Sequence, residues 1–356
     1  MRAHMIRRLL LFLAAAAIAA ILLTCSPVYV LRAGIEEARI LSRRTPIERI
    51  LGDPATDAEQ RRKLGLVLQA RTFASRTLGL DVGGSYTTYS WVDRDTLALV
   101  LSAARKDRFE QKTWRFPIVG RVPYKGYFSL KAARSAAEEL ERQGYDTYIR
   151  PTAAFSTLGW FDDPLLSTVL RADDVDLVST VIHELAHNTI YVPSQVSFNE
   201  SFASFVGDRG AIAFFCGIEG EDGHRCRTAR DRWEDNLLFG RFLQDLVAEL
   251  EALYARVDLP LEDRLARRED VFERARERFR TEVQPRLRSY TFGSFLTSPL
   301  NNATLIARRL YYDRLDLFEA AFHRHGQDLP ATIRSVVAAA REGADPFDAV
   351  SRLTAP

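Results

Sequence analysis

The run His183-Glu184-Leu185-Ala186-His187 constrains this chain more than any other feature, because it forms an HExxH pattern. Residues 166–182, which precede it, are rich in apolar side chains and contain no glycine or proline, so a helix is predicted there. On a helix, positions i and i+4 lie one turn apart on the same face, and both imidazoles can then reach one cation. The pattern therefore predicts that His183 and His187 are metal ligands on one helix.

The predicted cation is zinc, with one ion per chain. Two imidazoles and a carboxylate are typical zinc ligands at catalytic sites, where the fourth position is kept for water. Glu184 projects from nearly the same side of the helix and is predicted to act as general base toward that water. The alternative interpretation is a structural pair of histidines, which would have no use for Glu184.

The third ligand is predicted from the helix that follows. Pro193 breaks the first helix, and a new helix is expected to begin near Ser197. If the two helices pack antiparallel, His187 lies about 6 Å before the turn and Glu200 about 4.5 Å after it. Glu200 is therefore predicted to face the same metal, whereas Asp208 would lie near the level of His183 or beyond. The alternative role for Glu200 is a favourable charge at a helix N-terminus.

Composition is that of an ordinary globular protein. The chain has 356 residues, of which 47% are hydrophobic and 27% charged, so it can bury a substantial core. This length suits one large or two modest domains. The formal net charge is +2, which gives no indication of a nucleic-acid partner.

The residue pattern predicts an α+β fold that is predominantly α-helical. Residues 33–80 are rich in helix formers, with a break at Asp53-Pro54. Residues 81–160 combine β-prone runs with one helix that is closed by Gly144, which predicts a small mixed α/β region. Asp163-Pro164 has the cap residue and the first-position proline of a helix start.

Most of the chain after that point is predicted to be helical. Two long helices are expected over 228–288, joined near Asp258-Leu259-Pro260, and a last helical region is expected over 301–342. The predicted division is a leader or anchor at 1–25, a helical and mixed α/β region at 26–160, and a helical body at 161–356.

The first residues are typical of an export signal. Arg2, Arg7 and Arg8 precede an apolar run over 9–23, and Cys25 follows it as in a bacterial lipobox. Thr24 departs from that motif, and the apolar character continues to Leu31. An uncleaved anchor helix of about 20 residues is therefore the alternative to lipidation of Cys25. Both interpretations attach the chain to a membrane and place its body in the cell envelope, facing the periplasm.

Two further cysteines, Cys216 and Cys226, flank a glycine-rich segment. In an oxidising compartment, this spacing predicts a disulfide that closes a small loop. His224 lies between them, so a second metal site is the alternative, although no fourth ligand is evident.

Several stretches, taken together, resemble a known family. They are Trp114-x-Phe116-Pro117-Ile118-x-Gly120, Tyr124-x-Gly126-Tyr127-Phe128, Ser156-Thr157-Leu158-Gly159-Trp160-Phe161-x-Asp163-Pro164-Leu165, His183-Glu184-Leu185-Ala186-His187, Phe198-Asn199-Glu200-Ser201-Phe202-Ala203 and Asn301-Asn302-Ala303. HExxH followed by Asn-Glu on the next helix resembles the gluzincin arrangement, and the whole set resembles a bacterial family of "putative aminopeptidases" with an HELAH motif. Arg115 stands where that family would have cysteine. The resemblance implies a zinc peptidase with a peptide substrate.

An aminopeptidase needs an acid that holds the free amine of its substrate. In gluzincin aminopeptidases this acid lies on a Gly-x-Met-Glu-Asn strand upstream of HExxH. The resemblance places Asp162 at the corresponding step after Gly159, which makes Asp162 a candidate amine anchor and 153–159 a candidate edge strand for the substrate backbone. The alternative for Asp162 is a turn residue ahead of Asp163.

A hydrogen-bond donor is also needed at the developing oxyanion. Tyr311, Tyr312 and Asn302 are candidates, with helix packing as the alternative role for each. Two functions from different classes are thus predicted. One is a zinc-dependent peptidase, either an aminopeptidase or an endopeptidase. The other is a non-catalytic envelope protein in which zinc holds two helices together.

Overall fold

The computed structural model describes residues 40–92, 98–116, 120–152 and 162–354. These residues form a predominantly helical body with small sheets, which confirms the predicted α+β class. The predicted leader or anchor segment, including Cys25, lies outside the described residues, as does Gly159. No helix in the described ranges has the length and apolar character needed to cross a bilayer.

Two helices and a small sheet begin the described chain. Helix α1 spans Ile47–Gly52 and helix α2 spans Ala58–Arg76, where the Asp57 side chain accepts hydrogen bonds from the first-turn amides and caps the helix. Strand β1 (Thr45–Pro46) pairs antiparallel with β2 (Thr88–Ser90). The break predicted at Asp53-Pro54 is confirmed, because α1 ends before it.

A second sheet carries the mixed α/β region. Strand β3 (Ala98–Arg105) lies at its centre, between β6 (Tyr124–Tyr127) and β7 (Tyr145–Thr152), and both pairings are antiparallel. Helix α3 (Leu130–Arg142) connects these outer strands and packs on the sheet, while β4 (Trp114–Phe116) and β5 (Gly120–Val122) form a separate hairpin. The predicted mixed region and its single helix are thus confirmed.

The prediction that a helix begins at Asp163-Pro164 is wrong. The main-chain oxygen of Asp163 accepts a hydrogen bond from Tyr86 N–H at 2.8 Å, and the next residues form strand β8 (Leu165–Leu166), which pairs parallel with β2. The backbone groups of this segment therefore form hydrogen bonds to the neighbouring strand and are not available for the first turn of a helix. A 3-10 turn over Val169–Arg171 follows, and the helix begins only at Asp174.

The helical body is built around an antiparallel pair of helices. Helix α4 spans Asp174–Thr189 and is capped by the Asp173 carboxylate, and helix α5 spans Val196–Glu219. The remaining helices are α6 (His224–Tyr254), α7 (Leu261–Arg278), α8 (Ser294–Thr297), α9 (Asn302–Tyr312), α10 (Leu315–Arg324), α11 (Leu329–Glu342) and α12 (Pro346–Thr354). The two long helices joined near Asp258-Leu259-Pro260 are confirmed.

Aromatic side chains fill the centre of this body. Phe198, Phe202 and Phe205 of α5 are almost fully buried and contact Phe318 of α10. The same core includes apolar side chains of α2 and α4, so the N-terminal helices share it with the α4–α5 pair. Cys216, near the end of α5, is joined by a disulfide to Cys226 at the start of α6, with their Cα atoms 4.7 Å apart.

Candidate metal centre and adjoining cleft

Three side chains from α4 and α5 converge on one point. Oε2 of Glu200 lies 3.4 Å from Nε2 of His183 and 3.8 Å from Nε2 of His187. The two imidazole rings meet nearly edge to face, with centroids 5.0 Å apart. The structure therefore brings together the three residues that the sequence predicts as ligands.

These separations can be compared with what a zinc ion requires. Zinc–nitrogen and zinc–oxygen bonds of about 2.0–2.2 Å at tetrahedral angles place neighbouring ligand atoms about 3.3–3.6 Å apart. The His183–Glu200 separation of 3.4 Å falls in that range, and the His187–Glu200 separation of 3.8 Å is slightly longer. One ligand atom from each of the three residues lies within 4.8 Å of the other two. The donor set fits a single divalent cation.

The charges of these groups depend on one another. Burial opposes ionisation of Glu200, but hydrogen bonds from His183 and His187 outweigh it and hold the pKa of Glu200 far below its usual value. Burial likewise opposes the charged form of His187, yet Glu200 raises the pKa of that imidazole above its usual value. A carboxylate that attracts two imidazoles in this way also suits a cation placed between them.

The turn between α4 and α5 fixes the height of Glu200. The Asn199 side chain makes two hydrogen bonds of 2.9 Å with Val192, one to the main-chain N–H and one to the main-chain oxygen. Ser194, in this turn, has a φ of +65°, which lets the chain reverse direction within a few residues. Because Asn199 precedes Glu200 directly, this clamp also positions the third ligand.

Close helix packing brings the ligands within reach of each other. A Cβ atom at Gly207 of α5 would lie 2.7 Å from the main-chain oxygen of Ser179 and 3.0 Å from Cβ of His183. Only glycine therefore allows α5 to approach α4 this closely at the level of His183.

The second nitrogen of His187, Nδ1, differs from the first in its surroundings. Its Nδ1 atom is buried and makes no hydrogen bond within the part of the chain that the structure describes. Metal-bound histidines usually donate this N–H to a carboxylate or carbonyl, which fixes the tautomer and ring orientation.

Glu184 lies beside the three candidate ligands. Burial raises the pKa of its carboxyl above the usual value, although the nearby His183 and His187 partly oppose this shift. The negative charges of Glu200 and Asp163 act in the same direction as burial. A carboxylate with a raised pKa takes up a proton more readily near neutral pH, as a general base must.

The candidate amine anchor Asp162 is exposed and bound to a loop. Its Oδ1 accepts a hydrogen bond of 2.8 Å from Gly84 N–H, which is the behaviour of a turn residue. Its neighbour Asp163 is only 8% exposed, and its charge acts on both Glu184 and Tyr86. Asp163 is therefore the acid of this segment whose charge acts on Glu184, and the amine-anchor role of Asp162 stays a prediction.

The three oxyanion candidates occupy different surroundings. The ring of Tyr311 lies 6.3 Å from that of His183 in a stacked arrangement. Tyr312, the next residue, packs edge-on against Phe239. Asn302 is fully buried and ties α9 to the sheet, since its Nδ2 donates to the Arg105 carbonyl at 2.8 Å. Of the three, only Tyr311 faces the candidate ligands.

Two residues to which the sequence analysis gave no role, Arg150 and Tyr124, complete this side of the site. Nη2 of Arg150, on β7, donates to the Tyr311 hydroxyl at 3.3 Å. The negative charge of Glu200, together with burial, raises the pKa of Tyr311 to about 12, while Arg150 opposes the shift. Tyr124, on β6, is placed close enough to Glu200 for burial and that charge to raise its pKa strongly. The sequence signal that could have identified Arg150 is its position as a charged residue inside a β-prone run.

A cavity of about 450 Å³ adjoins the candidate ligands. His183, Glu184 and Tyr311 form the part of its wall next to the site, and it extends along α4 and α5 away from their connecting turn. Its other lining residues are Ala172, Asp176, Ser179, Thr180, Ser204, Asp208, Asn236, Tyr290 and Tyr312. The candidate centre thus opens onto a cleft large enough for a side chain of a substrate.

Comparison with known proteins gives one match. A family model described as "Putative aminopeptidase" matches residues 28–345 of the chain. No curated protein and no solved structure matches it significantly. The matched range includes all three candidate ligands, Glu184 and both tyrosines.

Proposed function

The chain belongs to this "putative aminopeptidase" family, and from that premise we propose that it is a zinc-dependent peptidase that removes residues from the amino end of peptides. The observation that carries the proposal is the convergence of His183, His187 and Glu200, whose ligand atoms are close enough to share one ion, with Glu184 beside them. His183, His187 and Glu200 would hold the ion. Bound zinc would polarise the scissile carbonyl and lower the pKa of water.

Residues of this chain supply the proton transfers. Glu184 is the general base, because its carboxylate lies beside the proposed ligands and its raised pKa favours uptake of a proton. The same carboxyl group then passes its proton to the leaving amine.

Tyr311 is the proposed oxyanion donor. Its pKa of about 12 keeps the phenol protonated at neutral pH, so the hydroxyl remains a donor. Arg150 donates to the same hydroxyl at 3.3 Å, which polarises the phenol and orients its proton away from the guanidinium. A preorganised donor of this kind stabilises charge that develops only in the transition state.

Selectivity for a free amino terminus needs an acid near the scissile bond. Asp163 is buried and acts electrostatically on Glu184, which supports it over Asp162 as the amine anchor. The family description also supports exopeptidase action. An endopeptidase is the alternative function for the same metal centre, because an endopeptidase needs no acid to bind a free amino terminus.

The test uses the purified, zinc-loaded chain. We expect one zinc per chain, and faster cleavage of peptides with a free amino terminus than of the same peptides acetylated at that end. Equal cleavage of both forms would favour an endopeptidase. Tight zinc binding without cleavage of either form would contradict the enzyme and favour an ion that only holds α4 to α5.

A further inference from the structure

The cavity beside the candidate centre is lined by hydrogen-bond acceptors and carboxylates. Asp176, Glu184 and Asp208 contribute carboxylates, and none of its described lining residues is a lysine or arginine. Asp176 already has a cation, since Arg232 Nη1 lies 2.6 Å from its Oδ1. Among the residues that the structure describes, no lysine or arginine forms an ion pair with Asp208.

Asp208 accepts hydrogen bonds only from neutral groups among the residues that the structure describes. The Ser179 hydroxyl donates to Oδ1 at 2.6 Å, and Asn236 Nδ2 donates to Oδ2 at 2.7 Å. Each carboxylate oxygen can accept more than one hydrogen bond. The lone pairs left over are available to a donor that enters the cavity.

Asn236 holds the Asp208 carboxylate in place at the wall of the cavity. Its side chain lines the cavity but is only 8% exposed. Because Nδ2 donates to the Asp208 carboxylate, the other amide atom must be the oxygen. That Oδ1 atom is buried and has no hydrogen-bond partner in the described ranges. That oxygen is therefore shielded from the cavity, and Asp208 is the acceptor that a molecule in the cavity can reach.

The position of Asp208 limits which donor can reach it. Ser179, which binds Asp208, lies one turn, or about 6 Å, before His183 on α4. Asp208 itself lies eight residues after Glu200 on α5, or about 12 Å along the helix axis. The α-ammonium of a substrate stays next to the scissile carbonyl and does not extend this far. The end of a lysine or arginine side chain does.

We infer that the cavity between α4, α5 and α6 is a subsite for a basic side chain of the substrate, with the Asp208 carboxylate as its acceptor. The inference rests on the proposed peptidase function and names a substrate class for it. An ammonium or guanidinium group would make charge-assisted hydrogen bonds to Asp208 in a partly desolvated cavity.

Direct binding tests this subsite without relying on turnover. The probes are N-acetyl-lysine amide and N-acetyl-norleucine amide, which differ in the side-chain ammonium and have no free α-amine. Leucine amide serves as the probe that has only the α-amine. Calorimetry with zinc-loaded and metal-free protein should show binding of the lysine probe at least about tenfold tighter than that of the norleucine probe. Equal binding of these two would overturn the inference, whereas binding of leucine amide reports on the separate amine anchor of the proposed function.

The matched variants are Asp208→Asn and Asp245→Asn. Asparagine at 208 can accept from Asn236 and donate to Ser179, so its packing is preserved while the charge is lost. Asp245 is an exposed acid on α6 and controls for net charge. The lysine preference should disappear in Asp208→Asn and persist in Asp245→Asn. The probe comparison on the unaltered chain remains decisive even where a variant does not fold.

Cleavage of paired peptides separates this inference from the proposed function. Peptides with lysine or norleucine on either side of the scissile bond are compared by kcat/KM. Cleavage without a lysine preference would refute the subsite and leave the peptidase in place. Binding of lysine that depends on Asp208, with no peptide cleaved, would support the subsite and refute the peptidase.

Discussion

At the residue scale, the proposed chemistry depends on two groups that are not ligands, Glu184 and Tyr311. Both lie beside the convergence of His183, His187 and Glu200, and the surroundings shift the pKa of each upward. For Glu184 the shift favours uptake of a proton, whereas for Tyr311 it favours retention of one. The same direction of pKa shift therefore suits Glu184 to act as a base and Tyr311 to act as a hydrogen-bond donor.

Glu184→Gln should retain zinc and lose turnover by about 10²–10⁴-fold, because glutamine cannot take up the proton. The substitution is nearly isosteric, so the fold should be kept. Metal analysis and kcat on one peptide measure both effects. A variant that turns over at the rate of the unaltered chain would remove Glu184 from the mechanism.

Tyr311→Phe should lower kcat by about 10²-fold with a much smaller change in KM, since the hydroxyl acts on charge that is present only in the transition state. The control is Tyr312→Phe, because Tyr312 lines the same cavity but packs against Phe239. Equal losses in the two variants would indicate packing as the role of both rings.

Asp163→Asn should narrow the difference in kcat/KM between free and acetylated peptides, because the charge that attracts the ammonium is lost. Asp162→Asn is the neighbouring control, since the Asp162 carboxylate binds Gly84 N–H on the surface. If Asp162→Asn narrows this difference and Asp163→Asn leaves it unchanged, the anchor is Asp162, as the sequence resemblance implies. If neither changes the ratio, amine recognition lies elsewhere.

At the scale of elements, the α4–α5 pair is what the sequence predicts best. Its geometry follows from local rules, namely the one-turn spacing of the histidines, the break at Pro193 and the rise per residue. The helix start at Asp163 was wrong because a strand partner far away in sequence took its backbone. Arg150 was missed for a related reason, since it lies 161 positions from its partner Tyr311. Such contacts depend on tertiary packing, which residue patterns do not encode.

Gly207→Ala should separate α4 from α5 and weaken zinc binding. The added Cβ would meet the Ser179 main-chain oxygen at 2.7 Å, and overpacking of this kind costs about 1–3 kcal/mol. Gly65→Ala in α2 is the control, because nothing lies within 4 Å of a Cβ there. That change should be neutral or stabilise the chain by up to about 1 kcal/mol. Thermal unfolding and zinc affinity of both variants test the comparison.

At the scale of the whole molecule, the candidate centre is attached to a core that does not depend on it. Apolar side chains of α2, α4, α5 and α10–α12 form one continuous cluster, and a second cluster joins α6, α7 and α9. The Cys216–Cys226 disulfide links α5 to α6. Removal of metal should therefore leave the helical fold in place and lower its stability.

The size of that stability change should depend on pH. Glu200 raises the pKa of His187 in the metal-free chain, so the protonated imidazole stabilises the folded state at acid pH. This contribution is present below the usual histidine pKa of about 6.5 and is lost as pH rises through the raised folded value. Zinc must displace the same proton, so its affinity increases over that range.

The Tm difference between zinc-loaded and chelated protein should consequently be small near pH 5.5 and widen toward pH 8. Glu200→Ala, which removes both the ligand and the cause of the pKa shift, should show little zinc-dependent change in Tm at any pH. A Tm difference that is constant from pH 5.5 to 8 in the unaltered chain would show that His187 does not exchange a proton for the ion.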